Sequence, residues 1–566
     1  MAGSELAAAQ TDLQTLRTSV PAVPESNSAP TRGVNSGERA RQAALSAAGH
    51  AERAHFLTTG PAWFVAASLP GVGGPFETVR GTTEALDRLA GTALPDAVRI
   101  TGRLTAATGG GHFNLSALRR SAPGLERVGN EAAQVRAEVA SLPRQTWLPP
   151  VDRVRSRLLD GLNRIAPAVE NAAVGARLLP AMLGEDGPRH YLLVFQNPAE
   201  ARGTGGMPGA YSVMTADKGV LALREFGRDT DMAAARPKIN LGTEFHAMYA
   251  HNDAVNTWPN TNMSPHFPYA ARIWSAAWLD KSEERVDGVL SLNPSVLARL
   301  LAAAGPARTA DGTLVTAQNV VDLTERATYA LYPESVKRKE FLLDVARAAA
   351  ERLLTAVKDP YRRPAVFLGL YDVLRSGQMT AWSAHPAEQR ELVAHPVGGS
   401  LPDGPEPYAG LVVNNAAGTK LDYYLDRALE WSSGRCTAAG REVTVKAVIT
   451  NHAPASGLPT YVTERLDMPV FETHRGDNRV LLSYYATAGA QVVGATLDGE
   501  RTAMSAGIER RHPVYTFDVE VPLGKSRTVT LYLLEPPSNH VPTVPRQQLT
   551  RPLRVTVLAS RDCPAK

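Results

Sequence analysis

The stretch from Asn197 to Asn240 gathers the side chains best suited to hold a phosphorylated head group. Asn197, Glu200 and Arg202 stand just beyond Tyr191-Leu-Leu-Val-Phe195, an apolar run that reads as a buried strand bounded by Asn197-Pro198. Sheets of α/β type place ligands beyond the C-terminal ends of their strands. Glycines at 203, 205 and 206 let backbone come close to a ligand. A second strand end carries Arg228-Asp229-Thr230-Asp231, followed by Arg236 and Lys238-Ile239-Asn240. Planar guanidinium groups match the oxygens of a pyrophosphate. Asp229 or Asp231 offers hard oxygen ligands to a divalent cation bridging that diphosphate. The same residues also read as surface salt bridges beside turns, and spacing alone leaves both readings open.

Better-known chemistries are missing. The sequence has no G-x-x-x-x-G-K-[ST] loop, no H-E-x-x-H and no G-x-S-x-G. Gly203 to Gly209 resembles a dinucleotide loop only superficially. It leads into a second strand instead of a helix, and Pro208 stands where the third glycine belongs. His246, His251 and His266, with Asp253, match no zinc spacing. Phe267, Trp274 and Trp278 have helical spacing and read as core, with a lipid-binding groove as the alternative. Glu388-Gln389 suits a helix start, and Tyr423-Tyr424 a packing contact where two regions meet.

The elements that would position these residues fall into three regions. Residues 1–185 read as helical. Leu6, Leu13 and Leu16 have helical spacing, Pro21, Pro24 and Pro30 interrupt it, and Ser36 to Leu57, Leu115 to Leu142 and Val151 to Leu179 resume it. Asn114 is placed to cap the helix beginning at Leu115. Residues 186–404 alternate strands and helices, which predicts an α/β domain. Its helix from Pro294 to Ala304 opens on a proline, and Lys337 to Leu354 reads as another. Residues 405–566 read as six short strands separated by turns, which predicts an antiparallel β-sandwich. Cys436 precedes the first of these strands and Cys563 follows the last. They read either as a disulfide, implying an oxidising, extracytoplasmic location, or as two unrelated thiols.

Composition removes several classes. The chain has 566 residues, 44% of them hydrophobic, enough to bury real cores. Two cysteines exclude a disulfide-dense scaffold and any multi-cysteine zinc site. A net charge of +4 is too weak to point to nucleic acid as a partner. Arginine outnumbers lysine, and no lysine precedes Lys218, so single arginines carry little information. No run of 18 apolar residues is present to form a membrane-spanning helix; the best apolar stretch, Pro61 to Phe76, is broken by Pro70 and glycines. The opening Met1-Ala-Gly-Ser-Glu5 reads like the middle of a helix, so a membrane anchor upstream of this chain is expected.

The string from Tyr191 to Gly206 resembles an uncharacterised bacterial family, catalogued as a domain of unknown function and common in actinobacteria. Val286-Asp-Gly-Val289, Asn293-Pro294, Leu300 to Pro306, Asn319 to Asp322, Glu388-Gln389 and Gly418 to Leu425 fit it too. The resemblance covers Val151 to Thr450 and implies one membrane helix near the amino terminus. More distantly, the order of elements is similar to the LytR-CpsA-Psr family, envelope enzymes that move glycopolymers from a polyprenyl pyrophosphate carrier with magnesium. Leu221 to Thr230, Lys238-Ile-Asn240, Val286 to Pro306 and Arg338-Lys339 carry that likeness. It implies that Arg202, Arg228 and Arg338 bind the diphosphate, beside Lys238. It also implies that Asp229 is the Mg²⁺ ligand, and Glu200 would be a second ligand or base. The family's further Asp is replaced here by Thr204-Gly205-Gly206, and its Arg-x-x-Arg-Gln is absent.

The expected protein is therefore an extracytoplasmic, membrane-associated envelope protein: an N-terminal helical stalk, a LytR-CpsA-Psr-like α/β domain and a β-sandwich. Its expected activity is phosphotransfer from a polyprenyl-pyrophosphate-linked glycan. The alternative is a non-catalytic binding or scaffold protein of the envelope, and the expected partner in either case is a lipid-linked glycan or an envelope glycopolymer. Convergence of Arg202, Arg228, Lys238 and Arg338 on one pocket separates the two.

Overall fold

A computed structural model describes residues 34–93, 95–97, 99–100, 114–437, 439–559 and 563, with backbone alone at 34–41 and 44. The helical spacing of Leu6, Leu13 and Leu16 and the prolines that follow it lie outside these residues. The chain divides into two compact units. The first runs to Arg189 and includes 216–221 and 358–365; the second comprises the rest.

The amino-terminal region of the first unit is helical: α1 (Val34–Thr58), α2 (Pro61–Ala67), α3 (Gly74–Arg88), α4 (Leu115–Ser141) and α5 (Pro149–Met182). The Asn114 side chain accepts from the Ala117 amide at 2.9 Å, satisfying one of the free donors at the start of α4. Small side chains let the helices approach: Ala51 and Ala54 meet Leu86 and Ala90, and Ala85 meets Val135, Val139 and Leu162.

The second unit opens with a mixed α/β region. Its sheet runs β3-β2-β1-β4-β5, where β1 is Arg189–Arg202, β2 Gly205–Asp217, β3 Val220–Arg228, β4 Gly288–Leu292 and β5 Thr380–Ser383. Tyr191 to Phe195 pairs in parallel with Gly288 to Leu292. A strand covered on both faces carries a continuous apolar run. Helix α6 (Thr243–Tyr249) precedes α7 (Phe267–Ser282), which lays Trp274 and Trp278 against Leu192, Val194 and Tyr211. These tryptophans are core, as their spacing predicts, and the Trp274 indole donates to the Thr261 hydroxyl at 2.7 Å. Helix α8 (Pro294–Ala304) is capped by Asn293, which accepts from the Val296 amide at 3.0 Å. It ends at Gly305, whose φ of +86° a side chain would strain. Helices α9 (Ser335–Lys358), α10 (Arg363–Arg375) and α11 (Pro386–Val393) follow.

The C-terminal region forms two predominantly antiparallel sheets. They are built from β6 (Gly410–Asn415), β7 (Leu425–Thr437), β8 (Gly440–Asn451), β9 (Asn478–Tyr485), β10 (Gln491–Leu497), β11 (Glu500–Arg501), β12 (Ser505–Glu509), β13 (His512–Val521), β14 (Ser526–Glu535) and β15 (Arg554–Leu558). One sheet runs β11-β10-β14-β8-β7-β15 and the other β12-β13-β9-β6. Alternate residues of β8 (Val443, Val445, Ala447, Ile449) share one core with Val480, Leu482 and Tyr484 of β9. Strands β6, β7, β11 and β12 are additions to the sequence reading. Every residue of β6 is buried, so it lacks alternation, and β7 carries Arg427 at a buried position. Strand β15 joins β7 in parallel. Cys436 and Cys563 form a disulfide with their Cα atoms 4.9 Å apart.

Candidate functional site

The end of β1 turns inward. Arg202 is buried, and its guanidinium is engaged by the protein itself. Nε donates to the Pro259 carbonyl at 2.7 Å, and Nη1 to the carbonyls of Ala201 (2.8 Å) and Asn415 (3.3 Å). Nη2 reaches Asn260 Oδ1 at 3.4 Å. Burial pulls its pKa down, with Glu200 and Asp422 opposing. The glycines after it let the chain approach its own backbone. A Cβ at Gly203 would lie 2.1 Å from the Met263 carbonyl oxygen, and one at Gly206 2.2 Å from Asn197.

Glu200 is also buried, in an ion pair with Lys420. The Lys420 ammonium stands 5.0 Å from the centre of the Tyr461 ring. The Arg338 guanidinium lies over the same ring at 3.6 Å, and 5.9 Å from that of Tyr329. Arg338 is only 2% exposed. Its Nη1 donates to the carbonyls of Tyr332 (3.0 Å) and Pro333 (2.9 Å), just before its own helix α9. Its Nη2 has no hydrogen-bond partner among the described residues. The Tyr329 hydroxyl accepts from the Asn197 amide at 2.7 Å. Burial above all, with Glu200 adding to it, raises the Tyr329 pKa well above the usual value. Nearby in sequence, buried Glu325 accepts from the Thr550 hydroxyl, and burial pushes its pKa up to about 8.

The end of β3 is more open. Both oxygens of Asp229 accept from Lys339 Nζ, at 2.9 and 3.0 Å. The two side chains are 15% and 25% exposed. The Arg228 amide donates to Asp231 Oδ2 at 2.8 Å, and its Nε lies 3.9 Å from Asp231 Oδ1. Lys238 is exposed on the segment that follows.

The structure thus brings the β3 end against α9, through Asp229 and Lys339. It links Glu200 to Arg338 through Lys420 and Tyr461. The four predicted diphosphate residues point in different directions: Arg202 and Arg338 inward onto carbonyls, Arg228 to Asp231, Lys238 to solvent. The residues do not fit a magnesium ion. Lysine ammoniums hold Asp229 and Glu200, Asp231 accepts from the Arg228 amide, and no group of three His, Cys, Asp or Glu among the described residues is placed to bind a metal. Of the three histidines, His246 and His251 are exposed and His266 is built into the fold. Buried His266 accepts from the Leu401 amide at 3.1 Å, while Asp253 accepts from Asn256 and Thr257. Burial, then Arg510 and Arg272, lowers the His266 pKa to about 3. Ser383 pairs with Glu388 and Gln389 at the start of α11.

Residues 186–329 match the model of a family described as a protein of unknown function, DUF4012. That stretch is a domain of unknown function, spanning β1 to the helical turns around Tyr329. Comparison with curated proteins finds no match. Among solved structures, the chain is similar to the crystal structure of protein gbs0355 from Streptococcus agalactiae. The identity is 14% over 38% of this chain and 76% of that chain, with a TM-score of 0.23. A likeness of that size carries no argument.

Lys420, Asp422 and Tyr461 complete the cluster and lie outside the sequence-predicted set. Asp422 accepts from the Ala201 amide (2.8 Å) and from Asn415 and Asn478 (both 2.7 Å). Lys420 and Asp422 fall in Gly418 to Leu425, a string the sequence marks by resemblance alone. Tyr461 carries no signal.

Proposed function

We propose that this chain is a non-catalytic binding protein of the bacterial cell envelope, acting outside the membrane on an envelope glycopolymer. The observation that carries the reading is the pairing of two candidate carboxylates with lysines: Asp229 with Lys339 and Glu200 with Lys420. A carboxylate paired with an ammonium is a poorer ligand for a second cation and a weaker base, because a positive charge already sits against its oxygens. The carbonyl bonds of Arg202 support the same reading, because that guanidinium acts as an internal brace. The Cys436–Cys563 disulfide supports an oxidising, extracytoplasmic compartment. In this reading the two C-terminal sheets form a β-sandwich, and the central region is a LytR-CpsA-Psr-like domain that has lost its metal centre.

Phosphotransfer is the second reading. One observation favours it: the strand end with Arg228 and Asp229 meets the helix with Arg338 and Lys339, the segments that the resemblance pairs.

Incubation with a polyprenyl-pyrophosphate-linked oligosaccharide, a glycan acceptor and Mg²⁺ separates the two. The binding reading expects no polyprenyl phosphate above the protein-free blank, and co-sedimentation of the protein with purified cell-wall glycopolymer. Turnover that disappears in Arg228→Ala and Asp229→Ala overturns it.

A further inference from the structure

The twenty residues from Leu57 to Phe76 contain no charged side chain. In a chain with 20% charged residues, such a run is normally core. Here it is surface. Helix α2, at its centre, buries none of its residues. Phe64 is 61% exposed, and Val65, Leu69 and Val72 are exposed with it. Phe56 at the end of α1 is 78% exposed, and Trp147, between α4 and α5, is 53% exposed. These side chains form one tip. The Trp147 indole donates to the Val72 carbonyl at 3.0 Å, and Trp63 packs edge-on to Phe76 at 5.5 Å. A Cβ on Gly74 would touch Thr146.

We propose that this tip inserts into the interfacial layer of a lipid bilayer, docking the helical unit on a membrane surface. The inference is independent of whether the second unit binds glycan or transfers it. An apolar patch of this kind marks an interaction site. Its shape and chemistry favour lipid over protein. The apolar side chains project from a seven-residue helix and a Pro70-Gly71 turn, too short to cross a bilayer but suited to lying in its interface. A protrusion needs a matching pocket in a protein, whereas acyl chains deform around it. Arginines accompany the exposed aromatics: Arg80 has its Cζ 5.3 Å from the Phe64 ring centre, and in sequence Arg53 stands three residues before Phe56 and Arg144 three before Trp147. Long cationic side chains beside apolar ones reach up to lipid phosphates. Glu52 and Glu77 share the rim, and Asp152 is bound to Thr146. The rim is therefore close to neutral, and apolar insertion drives the binding. The geometry points to a membrane contact with weak dependence on salt and on lipid charge.

Flotation of the full chain with vesicles tests it. Phosphatidylcholine vesicles should carry the protein up the gradient, with only a modest gain from added phosphatidylglycerol. The double substitution Phe64→Glu with Leu69→Glu should weaken binding at least about tenfold. Met468→Glu, at an exposed apolar side chain on a loop of the second unit, should leave it unchanged. Independently of any folding defect, brominated lipids should quench the wild-type tryptophan fluorescence, and Trp147→Phe should reduce that quenching. No flotation with either vesicle overturns the inference, as does equal flotation of the double variant. A concentration-dependent dimer abolished by the same substitutions, without vesicle binding, would assign the tip to a second copy instead.

Discussion

Lys339 closes on Asp229 from the second turn of α9, one ammonium serving both carboxylate oxygens. The pair ties the end of β3 to the helix that carries Arg338. It also decides how the acidic candidate at 229 reads, since the position a cation would take is held by a lysine. The pair is partly solvated, so its strength is modest. In a double-mutant cycle on Asp229→Asn and Lys339→Met, denaturant unfolding should give a coupling of about 0.5–1 kcal/mol. Zero coupling would mean that the contact does not hold the two elements together.

Arg202 and Arg228 should behave differently. Arg202→Ala leaves the carbonyls of Pro259, Ala201 and Asn415 without their donor in a buried place, and should destabilise by about 3–5 kcal/mol. Arg228→Ala should stay within about 0.5 kcal/mol of the parent. Thermal unfolding of the two variants checks this, and a fully stable Arg202→Ala protein would refute the bracing role.

Glu200 and Lys420 are worth testing as a buried pair. Lys420→Met strands Glu200 in the interior and should cost about 3–5 kcal/mol. The double variant Glu200→Gln/Lys420→Met should recover much of that loss, because neither charge is then buried. Equal stability of the single and double variants would show that the pair is not isolated from solvent.

Two buried groups give opposite pH slopes. Glu325, with its pKa raised from 4.5 to about 8, stays protonated in the folded state where the unfolded chain ionises. Its contribution is complete below about pH 4.5 and falls as pH rises toward 8, by up to about 1.4 kcal/mol per pH unit. His266, with its pKa lowered from 6.5 to about 3, stays neutral where the unfolded chain charges. Its contribution is present above about pH 6.5 and falls as pH drops toward 3. Unfolding measured from pH 4 to pH 9 should lose its upper slope in Glu325→Gln and weaken its lower slope in His266→Gln.

The Cys436–Cys563 bridge closes a loop with a sequence separation of 127 and fastens the tail beyond β15 to β7. Replacing both cysteines with serine should cost about 2–5 kcal/mol. The expected readout is a lower unfolding midpoint in the oxidised parent after reduction, matching that of the double-serine variant.

Local signals made part of this fold legible. Helix Pro294–Ala304 is readable residue for residue because its cap, its proline and its terminal glycine all lie within the segment. Tyr191 to Phe195 is readable because a doubly covered strand is continuously apolar. The cluster around Tyr461 is not readable in this way. Glu200 meets Lys420 only through tertiary pairing, and the inward turn of Arg202 depends on carbonyls from Pro259 and Asn415. A surface guanidinium and a buried brace have the same letter in a sequence. The glycines at 203 and 206 were equally ambiguous, since close approach to a ligand and to Met263 or Asn197 demands the same missing Cβ.

The most direct test is calorimetric titration of the intact chain with farnesyl pyrophosphate, with and without Mg²⁺. Carboxylates closed on lysines and an internally braced Arg202 predict no saturable heat in either condition. One-to-one binding that requires Mg²⁺ and vanishes in Asp229→Asn would contradict the account.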